Sequence, residues 1–368
     1  MNLLSSLPKI LAVLSKPLKA GCRPENLQID ITTLCNLNCS MCPREALGPG
    51  EINKSISLED YRRIYEAILP NSVNLAANGE PLIHPDFCGI VKFSKTRNKA
   101  LTITSSNFTL ANENILEGLV TSGLDLLKIS LDAPTAATYE RIRGKDLFDK
   151  IIANLDKLNS IKASRPSPTP DVRFDIVILK ENLPELSKMV ELAGKHGVKT
   201  VLFRLLDTTR MSPDDKKALL AGFDSSLAVS ELRKAGALAK KLGISTNAED
   251  ILADKKYLER NYDPAAKPPE AKKEICLLTW LQLFVDVNGN ASPCCSLYPG
   301  GEQSEGCVGN IYTDGYEQVW NGPRMRGLRK LFREGKNYTA YRACARCNPM
   351  GLKNLLASLK VFPKILKF

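Results

Sequence analysis

Segments with a strand-like pattern alternate with segments with a helix-like pattern from Leu27 to about Thr208, and this alternation restricts the possible folds most strongly. The six predicted strands lie at 27–34, 72–77, 100–105, 126–132, 172–179 and 199–206. The predicted amphipathic helices between them lie at 58–69, 86–96, 111–122, 146–163 and 185–197. Because the strands alternate with helices, the pattern predicts a parallel sheet covered by helices.

Three cysteines, Cys35, Cys39 and Cys42, directly follow the first predicted strand. A single buried cysteine would mean little, but three within one short loop are hard to explain as packing. Thiolates select iron–sulfur clusters, zinc or Cu(I). The chain has only two histidines for a Cys/His zinc site, so the spacing favours a cluster, with zinc as the alternative. Three thiolates leave one iron of a [4Fe–4S] cluster open to an outside ligand.

This Cys-x3-Cys-x2-Cys motif after a first strand resembles the signature of the radical S-adenosylmethionine (radical SAM) enzymes. The resemblance implies an α/β fold with a partial (β/α)6 TIM-type barrel over residues 23–210. It implies that the open iron binds the amino and carboxylate groups of S-adenosylmethionine, and that the reduced cluster splits this cofactor to a 5′-deoxyadenosyl radical. It also implies a flavodoxin- or ferredoxin-type electron donor as a partner.

Residues at the later strand ends resemble the cofactor-binding motifs of this family. Asn78-Gly79-Glu80 resembles its Gly-Gly-Glu-Pro motif, in which Glu accepts from the methionine ammonium and Gly lets the backbone come close; Asn at the first position is a departure. By the same resemblance, Ser130 reaches the ribose and Arg143 pairs with the methionine carboxylate through its planar guanidinium. The other predicted cofactor contacts are Met41, Ser105, Asn107 and Asp132. Strand-end capping or a surface position is the alternative for each polar residue.

A second group of cysteines lies nearer the C-terminus. Four of them follow the order Cys…Gly-x4-Cys…Cys-x2-Cys, and four thiolates are enough to close a second [4Fe–4S] cluster: Cys276, Cys294, Cys344 and Cys347. A zinc ribbon is the alternative. Cys295 and Cys307 are possible substitute ligands.

The sequence between these cysteines, with Gly309-Asn310 and Trp320-Asn321, resembles the auxiliary-cluster domain known as SPASM. Because no cysteine follows Cys347, the resemblance is closer to the shortened, single-cluster Twitch form. This predicts a small α+β iron–sulfur subdomain at 275–350, joined to the barrel by a helical connection and linker at 211–274.

Both ends of the chain are predicted to be basic and amphipathic, at 1–22 and at 351–368. The net charge of +11 reflects the segment from Trp320 to Phe368, which has twelve Lys and Arg and one acid. Contact with an anionic membrane and packing on the protein are the two alternatives for these ends. Eleven cysteines without a secretory signal predict a reducing compartment, and hence a cytoplasmic protein with or without contact at the membrane periphery.

The resemblance therefore implies an enzyme that abstracts hydrogen from a bound substrate, with the auxiliary cluster taking up the resulting electron in an oxidation or a cross-link. The substrate alternatives are a small molecule such as a sugar or aminocyclitol, a lipid, and a peptide. Asp175, Arg204 and Asp207 are the candidate proton acceptors at the ends of strands five and six.

The alternative class is a basic, metal-stapled protein that binds RNA or a membrane without catalysis. Its candidate RNA contacts are Arg324, Arg326, Arg329, Lys330 and Arg333. This hypothesis is disfavoured because it leaves the motifs at the strand ends unexplained.

Overall fold

The computed structural model describes residues 15–42, 44, 47–48, 50–75, 78–165, 168–208, 210–265, 275–297, 306–341, 343–344 and 347. The predicted C-terminal tail, most of the N-terminal segment and part of the linker lie outside the described residues. The chain divides into two compact units. The first comprises 1–34, 47–103 and 268–368, and the second comprises 35–46 and 104–267.

The described strands are β1 (Asn26–Ile29), β2 (Ser72–Leu75), β3 (Leu101–Ser106), β4 (Leu126–Ser130), β5 (Asp171–Val177), β6 (Thr200–Arg204), β7 (Ser245–Thr246), β8 (Gln282–Val285), β9 (Asn290–Ser292) and β10 (Gly309–Asn310). The described helices are α1 (Leu58–Ile68), α2 (Phe87–Asn98), α3 (Glu113–Thr121), α4 (Ala136–Arg143), α5 (Phe148–Ala163), α6 (Leu186–Lys195), α7 (Pro213–Leu220), α8 (Ser225–Leu242), α9 (Ala248–Ala253), α10 (Lys255–Tyr262), α11 (Leu278–Leu281), α12 (Gly315–Asn321), α13 (Pro323–Arg333) and α14 (Asn337–Ala340). Single 3₁₀ turns lie at Pro81–Ile83, Leu183–Glu185 and Cys295–Leu297.

In the first unit, the strands follow the order β10-β9-β8-β1-β2. β1 is parallel to β2 on one side and to β8 on the other, with Asn26 opposite Gln282 and Ile29 opposite Val285. β9 and β10 continue this sheet in antiparallel pairing. β8, from the C-terminal part of the chain, therefore pairs with an edge of β1 that the N-terminal half of the sequence would leave unpaired.

In the second unit, β4, β5, β6 and β7 lie side by side and are all parallel. One face of β4 and β5 is apolar: Leu127, Ile129, Phe174 and Ile176 are fully buried. The residues between them, which point to the opposite face because side chains alternate along a strand, are polar or charged. This second face carries Lys128, Ser130, Arg173 and Asp175. β3 begins in the first unit and ends in the second.

All six predicted strands and five predicted helices are present, with ends that differ by a few residues. The Ser57 side chain caps α1 by accepting from the Asp60 backbone N–H at 2.9 Å. Gly123 and Gly197 follow α3 and α6 with positive φ, as expected where helices stop. α4 was not predicted, because its eight residues carry too short an apolar pattern to stand out before α5. None of the described helices is long and apolar enough to cross a membrane.

The hypothesis of an RNA-binding surface on α13 is wrong for one of its residues. Arg329 is completely buried, and its guanidinium donates to the carbonyls of Thr279 and Leu18, both at 3.0 Å. It also lies over the Trp320 ring, 4.4 Å from the ring centroid. Arg329 therefore holds the first unit together instead of facing a partner.

Candidate active site

The loop that carries Cys35, Cys39 and Cys42 begins shortly after β1. Cys35 and Cys39 are half-buried, and the Cys42 backbone N–H donates to the Cys39 carbonyl at 3.0 Å. Burial raises the pKa of the Cys42 thiol, an effect that Arg143 and Arg210 oppose. The local turn thus brings two of the predicted cluster ligands together near cationic groups.

The C-terminal end of α4 holds this loop at several points. The Ser40 N–H donates to the Ile142 carbonyl at 3.4 Å, and the Lys145 ammonium donates to the Asn36 carbonyl at 2.7 Å. The Arg143 Nη1 donates to the Cys39 Sγ at 3.4 Å. Arg143 is therefore a direct neighbour of a predicted cluster ligand.

Arg143 also forms a buried ion pair with Asp132, and its Nη2 donates to the Ser130 carbonyl at 3.1 Å. The Asp132 Oδ1 accepts from the Val177 N–H at 2.7 Å. Burial raises the pKa of Asp132, an effect that Arg143 opposes. Burial alone would lower the pKa of Arg143, but Asp132 and Cys39 hold it above its ordinary value. The guanidinium therefore stays charged beside the cysteine loop.

Asn107, a predicted cofactor contact, uses its side chain on the cysteine loop. Its Nδ2 donates to the Asn36 Oδ1 at 2.9 Å, and its Oδ1 accepts from the Thr109 hydroxyl at 2.7 Å. The Asn36 Nδ2 in turn donates to the Thr109 Oγ1 at 2.8 Å. These hydrogen bonds fix the side chain of Asn36, the residue that follows Cys35. Of the other predicted contacts in the second unit, Met41 is buried and Ser105 is partly exposed.

The predicted Asn78-Gly79-Glu80 motif follows β2 in the first unit. A Cβ on Gly79 would lie 2.3 Å from the Thr32 carbonyl oxygen and 2.7 Å from that of Leu34, so only glycine fits. Glu80 is buried, its N–H donates to the Leu34 carbonyl at 2.8 Å, and its Oε1 accepts from the Leu82 N–H at 3.0 Å. The motif is thus fixed against the chain that leaves β1.

Asn78 departs from the family motif for a visible reason. Its backbone N–H donates to the Oδ1 of the buried Asp30 at 3.0 Å, and its side-chain amide donates to the Oδ2. A glycine could not make the second bond. We did not predict Asp30 from the sequence, although its position just after β1 and the unusual Asn78 were signals for it.

The auxiliary cysteines lie in the first unit. Burial raises the pKa of the Cys294 thiol well above its ordinary value, and the neighbouring thiols of Cys295, Cys276 and Cys347 raise it further. Cys344 is buried. Cys307, the other possible substitute ligand, has Arg324 and Asp286 as its charged neighbours. Cys295 is therefore one of the thiols close to Cys294. In the part of the chain that the structure describes, no group of three His, Cys, Asp or Glu side chains could hold a single metal ion.

The Gly-x4-Cys spacing has a structural cause in the turn between β8 and β9. Gly289 has φ of +85°, and a Cβ there would lie 2.3 Å from the Tyr312 ring. The Asp286 Oδ1 accepts from the Asn290 N–H at 2.8 Å within the same turn. The turn and the short β9 together determine the position of Cys294, which follows β9 by two residues.

Residues 29–202 match the radical SAM superfamily, and residues 276–348 match the iron-sulfur cluster-binding domain named SPASM. A stretch of 172 residues is 32% identical to a probable GTP 3′,8-cyclase of Pyrococcus abyssi, covering 46% of this chain and 53% of the cyclase. The chain thus spans about half the length of this relative. A stretch of 320 residues is 26% identical to the AdoMet-dependent heme synthase of Methanosarcina barkeri, covering 84% of each chain.

Two solved structures share the fold at low identity. SuiB of Streptococcus suis bound to S-adenosylmethionine aligns with a TM-score of 0.64 and 16% identity, covering 96% of this chain and 79% of SuiB. Native anSMEcpe with bound AdoMet aligns with a TM-score of 0.58 and 15% identity, covering 92% of this chain and 98% of that protein. The predicted α/β fold with a partial barrel is confirmed. The two matching domains imply a catalytic and an auxiliary [4Fe–4S] cluster, as predicted.

Proposed function

Because this protein is a radical SAM enzyme with a SPASM iron–sulfur domain, we propose that it cleaves S-adenosylmethionine reductively and abstracts hydrogen from a substrate. The geometry around Cys39 carries the proposal. Its thiol lies in a three-cysteine loop and accepts from Arg143, a buried and charged guanidinium. This is the donor set and the electrostatic setting that a thiolate-bound cluster needs.

The residues present fit these cofactors. Cys35, Cys39 and Cys42 would hold the catalytic cluster and leave one iron open. The buried Arg143 Nε has no hydrogen-bond partner among the described residues, so this donor suits an anionic group such as the methionine carboxylate. Glu80 would accept from the methionine ammonium. The cluster and S-adenosylmethionine, when bound, supply a 5′-deoxyadenosyl radical that removes a hydrogen atom.

The protein's own contribution is to hold and orient the cofactor and the substrate, and to shield them from solvent. Asp132 and the Ser130 carbonyl fix the Arg143 guanidinium, so that it does not reorganise when a ligand arrives. The Cβ-free Gly79 lets the chain after β2 pack closely against the Thr32 and Leu34 carbonyls, which fixes the position of Glu80. Met41, which is buried and directly precedes Cys42 in the sequence, would cover the adenine. Ser105, Asn107 and Ser130 remain proposed cofactor contacts.

We further propose that Cys276, Cys294, Cys344 and Cys347 hold one auxiliary cluster, as in a Twitch domain. The gathering of thiols around Cys294 supports this. A cluster whose irons are all bound by protein would accept an electron from a substrate radical, which suits an oxidation or a cross-link. This would make the enzyme an oxidoreductase, with a flavodoxin- or ferredoxin-type donor to reduce the catalytic cluster.

The names of the relatives indicate different chemistry, since one is a probable cyclase of GTP and one a synthase of haem, while SuiB has been solved with the precursor peptide SuiA. For this chain, a small molecule, a lipid and a peptide therefore remain the substrate classes.

The test uses anaerobically reconstituted protein. Iron is counted per chain, and 5′-deoxyadenosine is measured after adding dithionite and S-adenosylmethionine. We expect about eight irons and cleavage, falling to about four irons without cleavage when Cys35, Cys39 and Cys42 are changed to Ala. A Cys307→Ser variant serves as the matched thiol control and should keep both clusters. Zinc in place of iron, with no 5′-deoxyadenosine, would refute the proposal.

A further inference from the structure

A charged network crosses the second unit on the polar face of β5 and β6. The Arg173 guanidinium donates to both carboxylate oxygens of Asp175, and the Arg204 Nη2 donates to the Asp175 Oδ2 at 3.2 Å. Arg173 is almost fully buried, whereas the Arg204 side chain is 51% exposed. The buried Arg173 thus holds the Asp175 carboxylate, and this carboxylate in turn binds Arg204, whose side chain reaches solvent.

Several cationic groups surround the Asp175 carboxylate. The guanidinium groups of Arg173 and Arg204 both pair with it, and Lys128, which lies opposite Arg173 on β4, is a further cationic neighbour of Asp175. Arg173 is buried and Lys128 is half-buried, whereas Arg204 is exposed. Arg204 is therefore the member of this group that a ligand can reach most easily.

Arg204 is also at the level where the chemistry is proposed. It is the last residue of β6 and lies opposite Val177 of β5. The Val177 N–H donates to Asp132, the partner of Arg143. In parallel α/β folds, ligands bind outside the carboxyl ends of the strands. Arg204 thus stands at the ligand-binding end of the sheet, where its guanidinium is held by the hydrogen bond to Asp175.

We propose that the substrate carries an oxyanion, a carboxylate or a phosphate, that binds the Arg204 guanidinium at the end of β6. The guanidinium is a planar fork of N–H donors, which matches the geometry of such oxyanions, and the bond to Asp175 leaves its other donors available. Asp175 and Arg173 are positioning residues in this arrangement. Because arginine stays protonated in proteins, Arg204 acts by binding and not as a proton acceptor. The inference rests on the proposed function, since it places the substrate at the strand ends.

The test titrates reconstituted protein, saturated with S-adenosylmethionine, with pyrophosphate and with malonate, and follows binding by calorimetry. Malonamide is the neutral counterpart of malonate. We expect saturable binding of at least one anion, none of malonamide, and a loss of about tenfold or more in affinity in Arg204→Gln. Arg204→Lys should recover part of the affinity, because it restores the charge without the fork. Arg165→Gln removes an exposed arginine paired with Glu117 and should bind the anions like the wild type.

Binding of pyrophosphate alone would identify a phosphate site, and binding of malonate alone a carboxylate site. Two results overturn the inference: neither anion binds saturably, or Arg204→Gln binds as tightly as the wild type. Thermal unfolding of each variant without anion shows whether it is folded. If wild-type protein forms no 5′-deoxyadenosine, the proposed function fails, whatever the anion titration gives; if it forms 5′-deoxyadenosine but binds no anion, only this inference fails.

Discussion

At the scale of single residues, the loss of Asp175 should cost the second unit substantial stability. Its neighbour Arg173 is almost fully buried, and removing one partner of a buried pair costs about 3 kcal/mol or more. We expect Asp175→Asn to lower the free energy of unfolding by about this amount in urea titrations. Asp171→Asn, an exposed change at the start of the same strand, is the control and should have little effect.

The same carboxylate predicts a dependence on pH. Burial alone would raise the pKa of Asp175, but Arg173 and Arg204 hold it below its ordinary value. A lowered carboxylate pKa in the folded state stabilises the protein above the pKa of the unfolded chain, about 4, and this contribution is lost as the pH falls below it. The stability difference between wild type and Asp175→Asn should therefore shrink below about pH 4. A constant difference down to pH 3 would contradict this account.

Asn78 shows how far single residues could be predicted from the sequence. Gly79 and Glu80 were predicted from the motif, since each has a role that only its residue type can fill. The reason for Asn78 was not predictable, because its partner Asp30 lies on another strand end, 48 residues away in sequence. The same holds for the contact of Arg143 with Cys39, 104 residues away. Sequence patterns report local periods, and such pairings depend on the folded sheet.

At the scale of secondary-structure elements, the turn between β8 and β9 should determine whether the auxiliary cluster forms. Gly289→Ala introduces a Cβ that would collide with the Tyr312 ring, at a backbone conformation that also disfavours a side chain. We expect the turn to shift with Cys294, so that iron falls from about eight to about four per chain. Gly315→Ala is the matched control, because Gly315 has φ of +78° but open space around its Cβ position. If both variants fall to about four irons, backbone strain and not the clash is the cause; if both keep about eight irons, the turn does not determine whether the auxiliary cluster forms.

Helix α13 illustrates a second element whose role differs from the prediction. Its basic residues were the candidate RNA contacts, but Arg329 points inward and donates to the Leu18 carbonyl in the segment that precedes β1. Arg329→Lys keeps the charge and loses the planar fork that serves several acceptors at once. We expect lower stability and faster trypsin cleavage at Lys16 or Lys19. Arg326→Lys, an exposed change on the same helix, should leave the cleavage rate unchanged.

At the scale of the whole molecule, the C-terminal region is part of the first unit instead of an appendage. β8 pairs with β1 along its whole length, and the pairing continues at both ends, where the Glu25 N–H donates to the Leu281 carbonyl and the Asp30 N–H to the Val285 carbonyl. The sequence predicted the barrel strands because their period is local. It did not predict this pairing, because the two strands are joined only through the rest of the chain.

A chain that ends at Ala265 would lose β8 and the helices around Trp280 and Trp320, two of the largest fully buried side chains. This would leave β1 with an unpaired edge and the first unit without much of its apolar core, so we expect it not to fold alone. The measurement is amide hydrogen exchange in β1 and β2, with β4 and β5 of the second unit as an internal reference. Exchange in β1 and β2 should be fast in the shortened chain and slow again when residues 275–368 are coexpressed with it. Slow exchange in β1 and β2 without the C-terminal region would instead mean that the barrel folds as an independent domain, and that β8 only adds to a finished sheet.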